Sequence, residues 1–335
     1  MINGKKFLIF SVLVLVTALL DLNAAEYNEG RIRLVIHESS GRFSLFLLDP
    51  EQEKYEPFFT HQDPRTSFLA VYYNDRIFRL GESLRFRTVY DTQDGNPAII
   101  FDSPFLQVRK EFLFIKTSDS PEYNGIKITI KIENKSSAQA SVGLRMLIDT
   151  SLGEGRGNIP FFAGERAITS ETIIKGNSEE RFWFSRSDKL SLMGSIRDPD
   201  NGRNPDFLHF ANWKKLNDAP WKAAYNEGRN FHIPPYSIGD SAVCYYYEPD
   251  ILKPGENFTC SVFLAEENRT GFGALKKVDT ERNVININRE ADIQRLYALM
   301  DLLDSYIGGK IKMSEEELDY LERELYGLKA LYGLR

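Results

Sequence analysis

The segment from Ile126 to Asn134 constrains the fold of this chain more than any other feature. In IKITIKIEN, isoleucine occupies every second position from 126 to 132, and polar or charged residues occupy all of the positions between. A period of two predicts an antiparallel strand with one buried face and one solvated face. The next apolar run, VGLRMLI at 142–148, is interrupted only by Arg145. We therefore expect a second, central strand that is covered on both faces.

Short strands separated by turn residues continue along most of the chain. For example, SFLAVYYND and RIFRLG flank Asn74-Asp75, and RIRLVIHE and RFSLFLLD flank a Ser-Ser-Gly turn. Such pairs predict β-hairpins. Because 42% of the 335 residues are hydrophobic, the chain can fill a core of this size. We predict a mainly β protein, a large antiparallel β-sandwich over 26–284 with long loops at about 153–240, built as one sandwich or as two lobes.

The beginning of the chain matches a secretion signal. Two lysines precede an apolar run from Phe7 to Leu20, and Ala24 and Ala25 offer small residues for cleavage. We therefore predict a signal peptide at 1–25 and export to the periplasm or the cell exterior. No other stretch approaches about 18 apolar residues, so no stable membrane anchor is expected after cleavage. The formal net charge of −6 provides no basic excess for binding nucleic acid.

The character of the sequence changes after the last predicted strand. Asn288 is a candidate N-cap, and Ser314 with Glu317 forms a capping box for a second helix. Apolar residues then recur at spacings of three and four. The pattern predicts a C-terminal α-helical hairpin at 285–335 that docks a protein partner or a second copy of the chain. The residues predicted to face that partner are Ile293, Leu296, Met300, Leu303, Leu318, Leu321, Leu325 and Leu328.

The two cysteines of the chain lie on the two strands of a predicted hairpin, DSAVCYYYEPDILKPGENFTCSVFLAEE. A register that closes around Leu252 places Cys244 opposite Cys260. In an exported protein this arrangement predicts a structural disulfide, and two reduced, buried thiols are the alternative.

A glycine-rich loop follows the central strand and contains Asp149, Glu154 and Arg156. It lacks the pattern of a phosphate-binding loop. One interpretation is a turn in which the two carboxylates pair with Arg145, Arg156 or Arg166. The other is a role in ligand binding or in acid–base chemistry. Catalysis requires that the carboxyl groups converge and that one of them has a raised pKa.

The loops at 153–240 also concentrate large aromatic rings and two histidines. Trp183, Trp213, Trp221, His209 and His232 are candidate ligand-binding residues, because aromatic faces bind sugar rings and protein surfaces, although core packing also explains such rings. The histidines have no zinc spacing, and the segment DPDNGRNPD fails the register of a calcium loop. No GxSxG motif is present. The sequence therefore predicts neither a metal nor a cofactor.

The strand cadence, together with FLHFANWKKL, Trp221 and the hairpin that contains both cysteines, resembles secreted bacterial β-sandwich proteins of the galactose-mutarotase-like, supersandwich kind. The resemblance extends over about 30–265 and implies a related fold. Mutarotase activity implies a pair of histidines and a glutamate base, which have no matched positions in this sequence. We therefore expect an exported, non-enzymatic binding or scaffold protein. The alternative is a carbohydrate-binding or carbohydrate-active protein that uses the aromatic loops.

Overall fold

The computed structural model describes residues 24–49, 51–59, 65–92, 95–150, 152, 154, 160–268 and 271–272. All of them belong to one unit, Asp21–Asn283. The predicted helical hairpin at 285–335 lies outside the described residues, as do all of its predicted partner-facing side chains. Most of the predicted signal peptide also lies outside them.

The described chain consists mainly of antiparallel strands. In chain order they are β1 (Ala24–Glu29), β2 (Ile32–His37), β3 (Arg42–Asp49), β4 (Lys54–Pro57), β5 (Phe68–Tyr73), β6 (Arg76–Arg79), β7 (Arg87–Asp91), β8 (Ala98–Asp102), β9 (Leu106–Ile115), β10 (Gly125–Asn134), β11 (Ala140–Ile148), β12 (Phe161–Ala163), β13 (Arg166–Ile168), β14 (Thr172–Lys175), β15 (Phe182–Arg186), β16 (Ser191–Ser195), β17 (Phe207–Asn212), β18 (His232–Ile233), β19 (Ser237–Ile238), β20 (Ser241–Leu252) and β21 (Asn257–Glu266). The described helix, α1, spans Trp213–Asp218.

These strands form a β-sandwich-like arrangement of several sheets. A nine-stranded sheet has the order β13-β12-β15-β16-β21-β10-β9-β8-β7, and a six-stranded sheet has the order β14-β17-β20-β11-β5-β6. Strands β1 to β4 form a four-stranded meander, and β18 and β19 form a separate hairpin. The mainly β, antiparallel fold predicted from the sequence is confirmed. Within the described ranges, no helix has the length and apolar character needed to cross a membrane.

The core follows the alternation that the sequence shows. All four isoleucines of β10 at 126, 128, 130 and 132 are fully buried, in one cluster with apolar residues of β2 and β11. Burying each such side chain stabilises the fold by about 1.5–3 kcal/mol. The predicted hairpin at Asn74-Asp75 is also present, because β5 pairs with β6 and both turn residues have positive φ.

Strand β11 is central and covered on both faces, as the apolar run predicts. Leu144 and Met146 face the main core, whereas Leu147 faces a second cluster that includes Leu216 of α1. Arg145 also lies under this helix, and its guanidinium donates hydrogen bonds to the carbonyls of Leu216, Ala219 and Trp221 at 2.6–2.7 Å. It thereby satisfies carbonyl groups at the C-terminal end of the helix.

The predicted disulfide is wrong, because the two cysteines lie in different sheets. Cys244 on β20 pairs with Leu147 and His209, whereas Cys260 on β21 pairs with Ile130. The chain crosses from one sheet to the other after Leu252, so β20 and β21 do not form a hairpin with each other. Both thiols are free and buried, and burial raises the pKa of Cys244 to about 11 and that of Cys260 to about 12.

Candidate functional site

Three acidic side chains meet at one edge of the six-stranded sheet. Asp149 directly follows β11, and Asp240 directly precedes β20. Because these strands are antiparallel neighbours with Ile148 opposite Val243, the end of one lies beside the start of the other. Glu154 is attached at the same edge, since its Oε1 accepts a hydrogen bond from the backbone N–H of Ser241 at 2.8 Å.

The three carboxyl groups are close enough to act together. One carboxylate oxygen from each of Asp149, Glu154 and Asp240 lies within 4.8 Å of the other two. Asp149 is buried, and the other two side chains are partly exposed. We call this set the carboxyl cluster. It is accessible from solvent on the side of Glu154 and Asp240.

Neutral groups surround the carboxyl cluster. The backbone N–H of Asp149 donates to Ser67 Oγ at 2.9 Å, and the hydroxyl of Ser237 donates to Asp240 Oδ2 at 2.7 Å. Among the described residues, no lysine or arginine forms an ion pair with any of the three carboxylates. Within the described ranges, the carboxyl groups receive hydrogen bonds from N–H and O–H groups but have no cationic partner, and burial without such a partner favours retention of protons.

The pKa values reflect this environment. The pKa of Asp149 is raised to about 8, mainly by burial; a hydrogen bond from Thr66 opposes the rise, and the charges of Glu154 and Asp240 contribute to it. Burial likewise raises the pKa of Glu154 to about 7, and the charge of Asp240 adds to the effect. Carboxyl groups with pKa values near neutrality can both donate and accept a proton at physiological pH. The same three oxygens are also of the type that a hard divalent cation binds.

The arginines expected to neutralise these carboxylates are engaged elsewhere. Arg145 binds the backbone carbonyls beneath α1, and Arg166 pairs with Glu180 at 3.1 Å. Arg156 lies outside the described residues. The interpretation in which Asp149 and Glu154 pair with Arg145 or Arg166 is therefore wrong.

A loop network holds the carboxyl cluster against α1. Asn212 caps this helix, and its Nδ2 donates to the carbonyl of Asp240 and to Oγ of Ser237 at 3.0 and 2.9 Å. Trp213 Nε1 donates to the carbonyl of Thr66 at 2.9 Å. The side chain of Thr66 also forms a hydrogen bond with Asp149. Of the predicted tryptophans, Trp213 is thus connected to the site through Thr66.

An exposed apolar hairpin adjoins the carboxyl cluster. Strands β18 and β19 connect directly to Asp240, and Tyr236 and Ile238 on this hairpin are 79% and 61% exposed. His232 is also exposed, and its Nδ1 accepts a hydrogen bond from the N–H of Gly239 at 2.7 Å. We call the segment 232–238 the aromatic hairpin.

The other predicted site residues lie elsewhere. Trp183 is buried in the core and donates to the hydroxyl of Tyr245 at 2.6 Å, and Trp221 packs against Tyr246 on the outer face of the sheet. His209 is buried beside Glu171, whereas His232 is exposed. In the segment DPDNGRNPD, Asp198 accepts the backbone N–H of Asp200, as in a turn.

Asp240 was not predicted. Its partners in the cluster are distant in sequence, so only the pairing of β11 with β20 brings them together. The local signal was weak, because YSIGD before a strand is typical of an ordinary turn.

Comparisons with known proteins give structural similarities at low sequence identity. No family model matches the sequence, and no curated protein matches it. A polysaccharide lyase is similar at 12% identity and a TM-score of 0.38, with 72% of this chain and 33% of that chain covered. A galactose mutarotase-like protein from Lactobacillus casei is similar at 11% identity and a TM-score of 0.40, with 73% and 100% covered. A galactose mutarotase related enzyme from Lactobacillus acidophilus is similar at 12% identity and a TM-score of 0.41, with 76% and 100% covered.

The resemblance to galactose-mutarotase-like proteins that the sequence indicated is thus confirmed as a loose one. The chain spans about a third of the length of the polysaccharide lyase. At these TM-scores, the similarities assign neither a family nor an activity to the chain, and function has to be argued from the site itself.

Proposed function

We propose that this protein is carbohydrate-active and that the carboxyl cluster transfers protons to and from a hydroxyl or ring oxygen of a bound, uncharged sugar. The observation that supports the proposal is the convergence of Asp149, Glu154 and Asp240 within 4.8 Å without a described cationic partner. Structural carboxylates are normally paired or hydrogen-bonded in ways that lower the pKa, whereas this arrangement raises it.

The division of roles follows from burial. Asp149 has the higher pKa and the more buried carboxyl group, so it is the proton donor. Glu154 is more exposed and has a pKa of about 7, so it is the group that accepts a proton from the ligand and exchanges it with solvent. Two carboxyl groups with different environments are the common arrangement for paired acid and base catalysis.

The charge and the surroundings of the site favour a neutral polyhydroxylated ligand. A carboxyl cluster without a cation repels phosphates and acidic sugars, but its oxygens accept hydrogen bonds from hydroxyl groups. The exposed ring of Tyr236 on the adjoining aromatic hairpin offers an apolar face of the kind on which a sugar ring packs.

The proposal is tested with the full-length protein and a panel of neutral mono- and oligosaccharides, followed by proton NMR for binding and for any conversion, including exchange between anomers. We expect at least one sugar to bind and react. We expect Asp149→Asn and Glu154→Gln to lower the rate by about 100-fold or more, since each removes a proton-transfer group. Glu133→Gln, on the solvated face of β10, is the control and should keep the rate.

Two outcomes would contradict this function. One is a panel in which no sugar binds or reacts. The other is tight calcium binding that the Asp149→Asn variant loses, because a resident cation would hold the carboxylates ionised and make them ligands rather than acids. The scaffold function predicted from the C-terminal helices depends on residues outside the described ones and stays a prediction, as does export.

A further inference from the structure

A lysine lies inside the sandwich, and none of the acidic residues that the structure describes is paired with it. Lys110 is on β9, on the same inward face as Val108 and Phe112, and only 3% of its surface is exposed. Its Nζ donates a hydrogen bond to the carbonyl of Gly41. Among the described residues, no carboxylate forms an ion pair with it. A buried ammonium without a counter-ion is costly, so the group tends to lose its proton.

The surroundings of Lys110 favour the uncharged amine. Nζ lies 5.3 and 5.2 Å from the ring centroids of Phe43 and Phe112, whose faces attract an ammonium, but burial opposes this attraction. Burial lowers the pKa of Lys110 to about 7, and the positive charge of Arg42 adds to this effect. In a large fraction of the protein molecules, Lys110 is therefore a neutral, nucleophilic amine at physiological pH.

A small cavity adjoins this amine. Its volume is about 20 Å³, more than the roughly 10–15 Å³ that one water molecule needs, which restricts it to very small molecules. Apolar residues such as Phe101 and Leu80 form much of its wall, and Ser40 and Ser67 contribute hydroxyl groups. Of the residues that line it, Arg42 and Lys110 are basic and none is acidic.

We propose that Lys110 is a carbamylation site, at which the neutral amine adds to carbon dioxide that enters this cavity. The nitrogen forms a bond to the carbon, one C=O electron pair moves to oxygen, and one N–H proton passes to solvent. The product is an N-carboxylated lysine with one negative charge. No oxidant, reductant or further reactant is needed.

Three features select carbon dioxide over other electrophiles. The volume of the cavity excludes sugars and larger aldehydes. The apolar wall admits a small uncharged molecule more readily than an anion such as bicarbonate. The positive charge of Arg42, which disfavours the ammonium form of Lys110, stabilises the anionic product.

Carbon-13 NMR of the full-length protein, equilibrated with labelled carbon dioxide and bicarbonate, tests the proposal. We expect a carbamate resonance from the wild type that is absent from Lys110→Met, a variant that keeps the apolar stem and removes a buried charge. Lys131→Met, on the exposed face of the neighbouring strand, is the matched control and should keep the resonance. Absence of the signal from the wild type, or its persistence in Lys110→Met, would overturn the proposal.

A second measurement does not depend on the folding of a variant. Isocyanic acid, the uncharged acid in equilibrium with cyanate, has the size and shape of carbon dioxide and carbamoylates neutral amines irreversibly. In wild-type protein at pH 7, peptide mapping should show Lys110 modified about tenfold or more faster than exposed lysines, because a far larger fraction of it is unprotonated. Modification of Lys110 at or below the rate of exposed lysines would overturn the proposal.

Discussion

Two acidic sites adjoin the six-stranded sheet, the single buried carboxylate of Glu171 and the carboxyl cluster, and their environments are opposite. At Glu171, the ammonium of Lys215 lies 2.6 Å from both carboxylate oxygens, and His209 Nε2 lies 2.9 Å from Oε1. The backbone N–H of Asn226 donates to the same oxygen at 3.0 Å. In the carboxyl cluster, three carboxylates approach one another, and among the described residues no cation is paired with them.

This difference in partners distinguishes an acidic side chain that stabilises the structure from acidic side chains that are available for proton transfer. The carboxylate of Glu171 connects β17, α1 and the loop that follows the helix, because His209, Lys215 and the backbone N–H of Asn226 all donate hydrogen bonds to it. Burial lowers the pKa of His209, although the hydrogen bond to Glu171 opposes this, so the imidazole contributes mainly as a neutral donor. The carboxyl cluster has raised pKa values and a partly exposed side, which is the combination expected of a functional site.

The largest effect is expected from Glu171→Gln. The substitution leaves the ammonium of Lys215, whose side chain is only 12% exposed, without its counter-ion. Breaking a buried ion pair in this way costs about 3–5 kcal/mol. Urea unfolding at pH 7 measures it. Glu180→Gln, which removes the exposed pair with Arg166, should cost less than about 1 kcal/mol. Equal losses of unfolding free energy in the two variants would contradict the proposal that Glu171 stabilises the fold more than an exposed, ion-paired glutamate does.

The next prediction is that Asp149→Asn stabilises the folded protein, whereas Glu171→Gln destabilises it. An unfolded aspartate loses its proton near pH 4, whereas in the folded protein Asp149 keeps it until about pH 8. Between these values the folded state binds more protons, so this group makes wild-type stability fall as pH rises. The asparagine variant lacks that slope, so its stability relative to the wild type should rise by several kcal/mol between pH 4 and pH 8. Unfolding at pH 4 and pH 8 checks this, and a stability difference that does not grow with pH would contradict it.

A smaller effect is expected at the aromatic hairpin. Tyr236→Ala should weaken binding of the sugar identified with the panel by about tenfold, roughly 1.4 kcal/mol, because it removes an exposed apolar face beside the carboxyl cluster. Stability should be unchanged, since the side chain is 79% exposed. Calorimetry measures the affinity. Ile251→Ala, at the opposite end of β20, is the control and should not alter it. A loss of the same size in both variants would exclude a specific role for the ring.

No effect at all is expected from reducing agents. Cys244 and Cys260 lie in different sheets, so the oxidised and reduced proteins should unfold at the same temperature. Thiol labelling should modify neither residue in the folded protein and both after denaturation. A melting temperature that falls when reductant is added would show a disulfide that this fold does not allow.

The strands were predictable because their signals are local. The alternation in β10 and the continuous apolar run in β11 each report which faces are buried, and the structure buries those faces. The hairpin at Asn74-Asp75 was equally local, since both residues tolerate the positive φ that its turn requires.

The predicted disulfide was wrong because the prediction assumed that two strands consecutive in the chain pair with each other. Strand β20 has β11 and β17 as neighbours, and β21 has β10 and β16, so neither has a free edge for the other. The segment after Leu252 therefore crosses between sheets. Pairings between strands distant in sequence decide this, and the local pattern contains no information on them.

The candidate site was predictable in part for the same reason. Asp149 and Glu154 stood out because they follow a central strand in a glycine-rich loop. Asp240 and the hydrogen bond from Ser241 depend on the register of β11 with β20, which the sequence does not reveal. The burial of His209 beside Glu171 was not predictable either, because Glu171 lies 38 residues away and reaches it through the pairing of β14 with β17.

The most direct test of this account is a carbon-13 NMR titration of the side-chain carboxyl groups in the wild type and in Asp149→Asn. We predict a carboxyl resonance with a midpoint near pH 8 in the wild type that is missing from the variant, and a second, assigned to Glu154, near pH 7. If every aspartate and glutamate titrates below about pH 5, as unperturbed groups do, the carboxyl cluster is not an acid–base site.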